Sequence, residues 1–304
     1  MDTLIVLQQM GVIMILVLIG VFLYKKNILT DTVTQSLSWI MVNICNPALL
    51  ISMSLSGEIT TSHRDFLAGL LFGAMLYAFL CLFGAILPHL IRADKKEAVY
   101  YTVITVYTNT GFIGIPLSKA ILPANAMIYV IICNIMFSIY FYTHAIYLLS
   151  GGTRKFSPKN LINSGIIAAA AAILIYWFHL DLPDIVTSTV THIGNPAVFL
   201  SMILVGASLA KQPLLSNLTD RTLWIFIVIR MIAFPVVMTW FLRLIHMQEE
   251  AIEAYCIMMA MPAANLPMIQ AEKEGKETAF LSKAIVCTTV VSFATVTLVL
   301  TVLF

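Results

Sequence analysis

Charge is what this chain has least of. Lys, Arg, Asp and Glu together supply 11% of its 304 residues, against roughly 25% in a soluble domain. With 60% hydrophobic residues and a mean hydropathy of +0.95, that scarcity excludes a soluble globule and indicates an all-α polytopic membrane protein. The net charge of +2 is too small to attract a nucleic acid, so none is expected as a partner. Catalytic signatures are missing too. There is no HExxH, no GxSxG and no acidic pair inside an apolar run, so a hydrolase lacks its activated nucleophile and base, and no enzyme is expected. The five cysteines all sit in apolar runs without CxxC or metal-ligand spacing. They read as small hydrophobes, and neither a metal site nor a cofactor is expected. The first apolar run follows Met-Asp-Thr without a basic leader or a small-residue cleavage site, so it is expected to be a retained helix rather than a signal peptide.

What is present is apolar sequence in membrane-length pieces. Windows of about 20 residues give ten spans, at 4–24, 33–55, 66–91, 98–122, 125–149, 160–179, 185–210, 221–246, 250–271 and 279–303. If both termini share a face, its loops carry only Arg64, Lys119 and Arg243. The opposite loops carry Lys25, Lys26, Arg92, Lys95, Lys96, Arg154, Lys155, Lys159, Lys211, Arg221, Lys273, Lys276 and Lys283. The positive-inside rule then puts both termini on the extracytoplasmic side. One basic residue, Arg230, is left inside a span, where burying its charge is expensive enough that pairing or function is its default reading. It has no intramembrane acid nearby in sequence, which leaves backbone carbonyls, a helix C-terminus or an anion as its partner.

Span 2 reads Asn46-Pro-Ala-Leu-Leu-Ile-Ser-Met53 and span 7 reads Asn195-Pro-Ala-Val-Phe-Leu-Ser-Met202, an internal repeat. Five spans per copy is an odd number, so the second copy is inverted in the membrane, giving repeats at 1–149 and 150–304. Span 4 is broken by Asn109, Thr110, Gly111, Gly114 and Pro116, and its counterpart, span 9, by Pro262 and Pro267 around Ala263 and Asn265. Lipid offers no water to the peptide groups that such breaks free, so they survive only under protein or beside a cavity. Two inverted, broken helices are expected to cross near the midplane. Pro116 and Pro267 suit the first turn of each second half, and the N–H groups and positive dipole ends there favour an anion. Asn46 and Asn195 either pack or line that site. His144 and His192 read as packing or interfacial residues.

Asn109-Thr110 with Gly114-Ile-Pro-Leu117, the Pro262–Pro267 element, Arg230-Met-Ile-Ala-Phe-Pro235, and Thr30-Asp31 with Asn46-Pro47 together resemble the auxin efflux carrier family, including its bacterial malate-permease-like members. The resemblance implies a scaffold of spans 1, 2, 6 and 7 that forms a homodimer. It also implies a transport domain of spans 3–5 and 8–10 that moves like an elevator, in a bacterial inner membrane. Asn134 on span 5 falls where the plant carriers place a polar, substrate-facing glutamine. The implied substrate is a small mono- or dicarboxylate, malate-like or auxin-like. The expected site is Asn109, Thr110, Gly111, Gly114, Pro116, Asn134, Pro262, Ala263, Asn265 and Pro267, with Asn46, Asn195 and Arg230 behind it. Alternatives are a sodium-coupled carrier of the bile-acid-transporter type, with sodium near Asn109 and Thr110, and a channel or sensor of the same fold.

Overall fold

The computed structural model describes residues 3–55, 61–153, 162–211 and 220–304. The basic residues Arg154, Lys155 and Lys159, which the loop count uses, lie outside them. In chain order the helices are α1 (Thr3–Lys25), α2 (Asp31–Ser54), α3 (His63–Leu90), α4 (Ala98–Val106), α5 (110–121), α6 (Ala124–Leu149), α7 (Ser164–Phe178), α8 (Asp184–Lys211), α9 (Arg221–Leu244), α10 (Glu249–Ala260), α11 (Leu266–Lys273) and α12 (Ala279–Leu303). Seven of them, α1, α2, α3, α6, α8, α9 and α12, are long and apolar enough to cross a membrane. The remaining apolar runs do not form single helices of that length. Spans 4 and 9 each divide into two short helices, and 160–179 contains the 15-residue α7. No strand forms among the described residues.

Proline shapes these helices from within. Pro47, Pro116 and Pro235 each follow a π-helical turn, at Met41–Cys45, Thr110–Gly114 and Ile229–Ala233. A proline gives no N–H to the carbonyl four residues back and its ring crowds it, and the wider turn relieves that conflict. The helix surfaces are turned inside out relative to a soluble protein. Leu71, Leu82, Val237 and Trp240 are exposed, whereas Thr105, Thr108, Asn109, Thr110, Ser201 and Arg230 are buried. That distribution suits hydrocarbon as the solvent.

The helices pack in two sets. α1 lies along α8, and α2 packs on α7 and α8. The approach of α1 to α8 is so close that a Cβ on Gly20 would sit 2.3 Å from the Ile203 carbonyl, and one on Gly206 2.1 Å from that of Val17. Ala168, Ala169 and Ala172 of α7 are buried, small enough for the same kind of approach. In the other set α3 packs on α4 and α6, and α10 on α6, α9 and α12. Gly69 and Gly73 of α3 admit Tyr129, Ile132 and the Tyr255 hydroxyl, which donates to the Gly69 carbonyl at 2.6 Å. Contacts of α6 with α7 and of α1 with α12 join the sets.

Helix ends meet in groups. Lys211 pairs with Asp31 at 2.7 Å, and Lys283 with Asp220 at 2.7 Å. Elsewhere, His63 bonds the Trp177 carbonyl and Arg243 donates to the Leu303 carbonyl.

Candidate functional site

The two broken stretches meet at their breaks. α4 stops at Val106 and α10 at Ala260, and each continues in extended backbone. Thr108 and Ala263 face one another as an antiparallel bridge. Asn109 N donates to Pro262 O at 2.7 Å, and Ala264 N to Tyr107 O at 3.1 Å. Thr108 Oγ1 donates to Met258 O at 3.2 Å, and Ala263 N to Thr288 Oγ1 of α12 at 3.2 Å. The peptide groups left free where the two helices stop are thus satisfied by the opposite break and by threonines, the condition a break at membrane depth has to meet.

Pro267 lies in the first turn of α11, the position expected of it, whereas Pro116 lies a turn inside α5, behind the π turn Thr110–Gly114 with which that helix begins. The two N-termini differ in their caps. Asn109 accepts at Oδ1 from Phe112 N at 3.1 Å and so caps α5 itself, leaving its amide NH2 as the free end. α11 has no side-chain cap, and Oδ1 of Asn265 is buried with no hydrogen-bond partner. Asn46 also presents a buried, unpartnered Oδ1. It stands over Gly111, where a Cβ would find its amide nitrogen at 3.7 Å and nothing nearer. Thr110 Oγ1 reaches Asn134 Oδ1 at 3.5 Å, while Asn134 Nδ2 donates to Val130 O at 3.0 Å. Gly114 serves packing: a Cβ there would meet Met258 Sδ at 2.9 Å.

Arg230, fully buried in the π turn of α9, takes the carbonyl option. Nε donates to Thr105 O at 2.6 Å and Nη1 to Met259 O at 2.6 Å. Those carbonyls belong to the last turns of α4 and α10, so one guanidinium closes the C-terminal ends of both first halves. Each end carries about −0.5 of an elementary charge, and together they roughly balance the single positive charge. The remaining Nη2 has no protein partner, and Arg230 borders a cavity shared with Tyr77, Thr108, Cys133 and Met258 that has room for about one water. The phenyl ring of Phe234 lies 5.0 Å from the guanidinium carbon.

Of the expected residues, Asn134 meets Thr110 and Asn46 meets Gly111, both directly after Asn109 in the chain. Pro262, Ala263 and Asn265 arrive from the other chain segment. Asn195 does not join them. It is exposed and accepts from Lys119 Nζ at 3.4 Å, nine residues or about 13 Å along α5 from Thr110. Three participants were not legible as such. Thr108 and Tyr107 carry no signal of their own beside the conspicuous Asn109, and Thr288 has nothing to separate it from the other threonines of α12.

A family model described as a membrane transport protein matches the chain twice, over residues 5–171 and 153–300. Among curated proteins there is no significant match.

Proposed function

The chain belongs to the auxin efflux carrier family of membrane transport proteins, whose members are transporters and not enzymes, and from that premise we propose that it carries a small organic anion, a mono- or dicarboxylate. The observation that carries the proposal is the antiparallel bridge between Thr108 and Ala263. It makes two interrupted helices into one polar junction inside an apolar molecule, the kind of place where secondary transporters bind their substrates. Around it stand donors suited to a carboxylate: the free amide NH2 of Asn109, the Thr110 hydroxyl, the Asn46 amide and the uncapped start of α11.

Ten spans in two inverted repeats, 1–149 and 150–304, account for the antiparallel sense of the bridge. The packing of α1, α2, α7 and α8 as one set, and of α3, α4, α6, α9, α10 and α12 as another, fits a scaffold and an elevator-like transport domain. A homodimer through the scaffold is part of this reading. So is the placement of both termini outside a bacterial inner membrane, since the Lys211–Asp31 and Lys283–Asp220 pairs join ends from the lysine-rich face. Sodium coupling is the second reading: Arg230 and Phe112 N engage the Thr105, Met259 and Asn109 oxygens, and the oxygens left to a sodium ion are Oδ1 of Asn46 and Asn265.

The test is a thermal-shift screen of purified protein against acetate, malate and indole-3-acetate, followed by uptake of the stabilising compound into proteoliposomes. A carboxylate at 100 times its Kd stabilises by about 2.7 kcal/mol. Uptake that saturates and exchanges labelled substrate separates a carrier from a channel. If Asn109→Ala leaves uptake intact at equal expression, the site assignment fails.

A further inference from the structure

With no acid at mid-span, a coupling proton needs another carrier, and one histidine touches the junction. Tyr107, the residue before the bridge, is fully buried. Its hydroxyl lies 2.9 Å from the Tyr140 carbonyl and 2.9 Å from Nδ1 of His144, in the π turn Phe141–Ala145 of α6. The phenol has one proton and the carbonyl can only accept. When that proton goes to Tyr140 O, Nδ1 of His144 supplies the N–H toward the Tyr107 oxygen. Both contacts are then satisfied, and Nε2 is left as the basic nitrogen.

We propose that His144 is the proton carrier of the transport cycle, protonated at Nε2 while its Nδ1–H stays bonded to Tyr107. This rests on the carboxylate-transporter reading. Neutral and protonated His144 both keep the Nδ1–H bond, so protonation changes charge next to the junction without breaking the link. The Tyr107 carbonyl accepts from Ala264 N, which ties the same residue to the second broken helix. A positive imidazolium favours a bound carboxylate, and the carboxylate favours the proton in turn. One proton enters at Nε2 from the side to which the site is open and leaves to the other side with the anion. Only an N–H bond forms and breaks.

The groups around His144 leave this charge to the substrate. Tyr107 and Tyr140 contact it, with Tyr77 and Cys81 of α3 beyond them. Tyr142 and Tyr147 lie on α6 itself. α11, which packs on 146–149, carries Glu272 and Lys273 in its last turn, followed by Glu274, whose carboxylate accepts from Gln270 Nε2 at 2.8 Å.

The experiment has two arms. In proteoliposomes, uptake of whichever of acetate, malate or indole-3-acetate the wild type carries is measured against external pH at fixed internal pH. One bound proton gives a slope of about tenfold per pH unit on the alkaline side of the titration. His144→Gln, shown to be folded by near-native thermal unfolding in detergent without ligand, is expected to lose that slope, and Tyr107→Phe to displace its midpoint. An unchanged slope in His144→Gln overturns the proposal. Independently of transport, 15N spectra of the histidine-labelled wild type are expected to show His144 as the Nδ1–H tautomer. An Nε2–H tautomer overturns it as well. Absence of uptake of all three probes would instead sink the transporter reading, and the spectra would still judge His144.

Discussion

Arg230 holds the carbonyl of Thr105 at 2.6 Å through Nε, and the same guanidinium reaches Met259 from Nη1. A cation that is costly in a membrane is thereby placed where two helices end and partial negative charge collects. Arg230→Met leaves both buried carbonyls without a donor, and we expect it to destabilise the protein by about 2–4 kcal/mol. Thermal unfolding in detergent should show this with little dependence on salt, because the contact is buried. Lys at 230, a point charge without the fork, should restore only part of the loss.

Gly111 and Gly114 predict opposite behaviour. A side chain at 111 enters open space beneath Asn46, whereas one at 114 collides with Met258. Gly111→Val should therefore fold with near-native melting and lose most carboxylate-induced stabilisation. Gly114→Val should melt early, by about 1–3 kcal/mol of overpacking. If Gly111→Val retains full ligand response, the site does not extend to the Asn46 side of the bridge.

Asn265 offers a cleaner test of binding than Asn109. Its Oδ1 makes no hydrogen bond within the protein, so Asn265→Ala should change stability by less than about 0.5 kcal/mol. Asn109→Ala removes a helix cap, at a cost of about 1 kcal/mol. Both should weaken carboxylate binding, and comparing the two separates recognition from capping.

At the start of α9 the acid limb of stability should carry the mark of Asp220. Burial pushes this carboxyl up, but the hydrogen bond from Lys283 at 2.7 Å and the Leu223 N–H outweigh it, and the net shift is below the ordinary value of 3.8. A depressed carboxylate contributes stability that is complete above its unfolded value and is lost as pH falls through the folded one. Wild type should thus lose stability below that range, and Asp220→Asn should flatten this part of the profile, read as melting temperature against pH.

Most of the architecture was present in the chain as chemistry of single residues. Low charge and membrane-length apolar runs make a polytopic helical protein, because lipid leaves backbone groups no partner but the helix itself. Prolines and glycines at 111, 114, 116, 262 and 267 mark the two stretches that cannot stay regular α-helix, since the lost backbone hydrogen bonds follow from the residue types alone. Arg230 announced itself by being the one cation far from a loop.

Partner choice is what only the tertiary structure decided. Nothing local assigns Arg230 to carbonyls 125 and 29 residues away. Nothing local separates Asn46, which meets Gly111, from Asn195, which follows the same motif and meets Lys119. A repeated sequence repeats the local helix and its proline turn, but its neighbours come from packing against elements that are not repeated. Tyr107 and His144 are the plainest instance. They are 37 residues apart, each ordinary in its own helix, and their shared proton exists only because α6 lies beside the break.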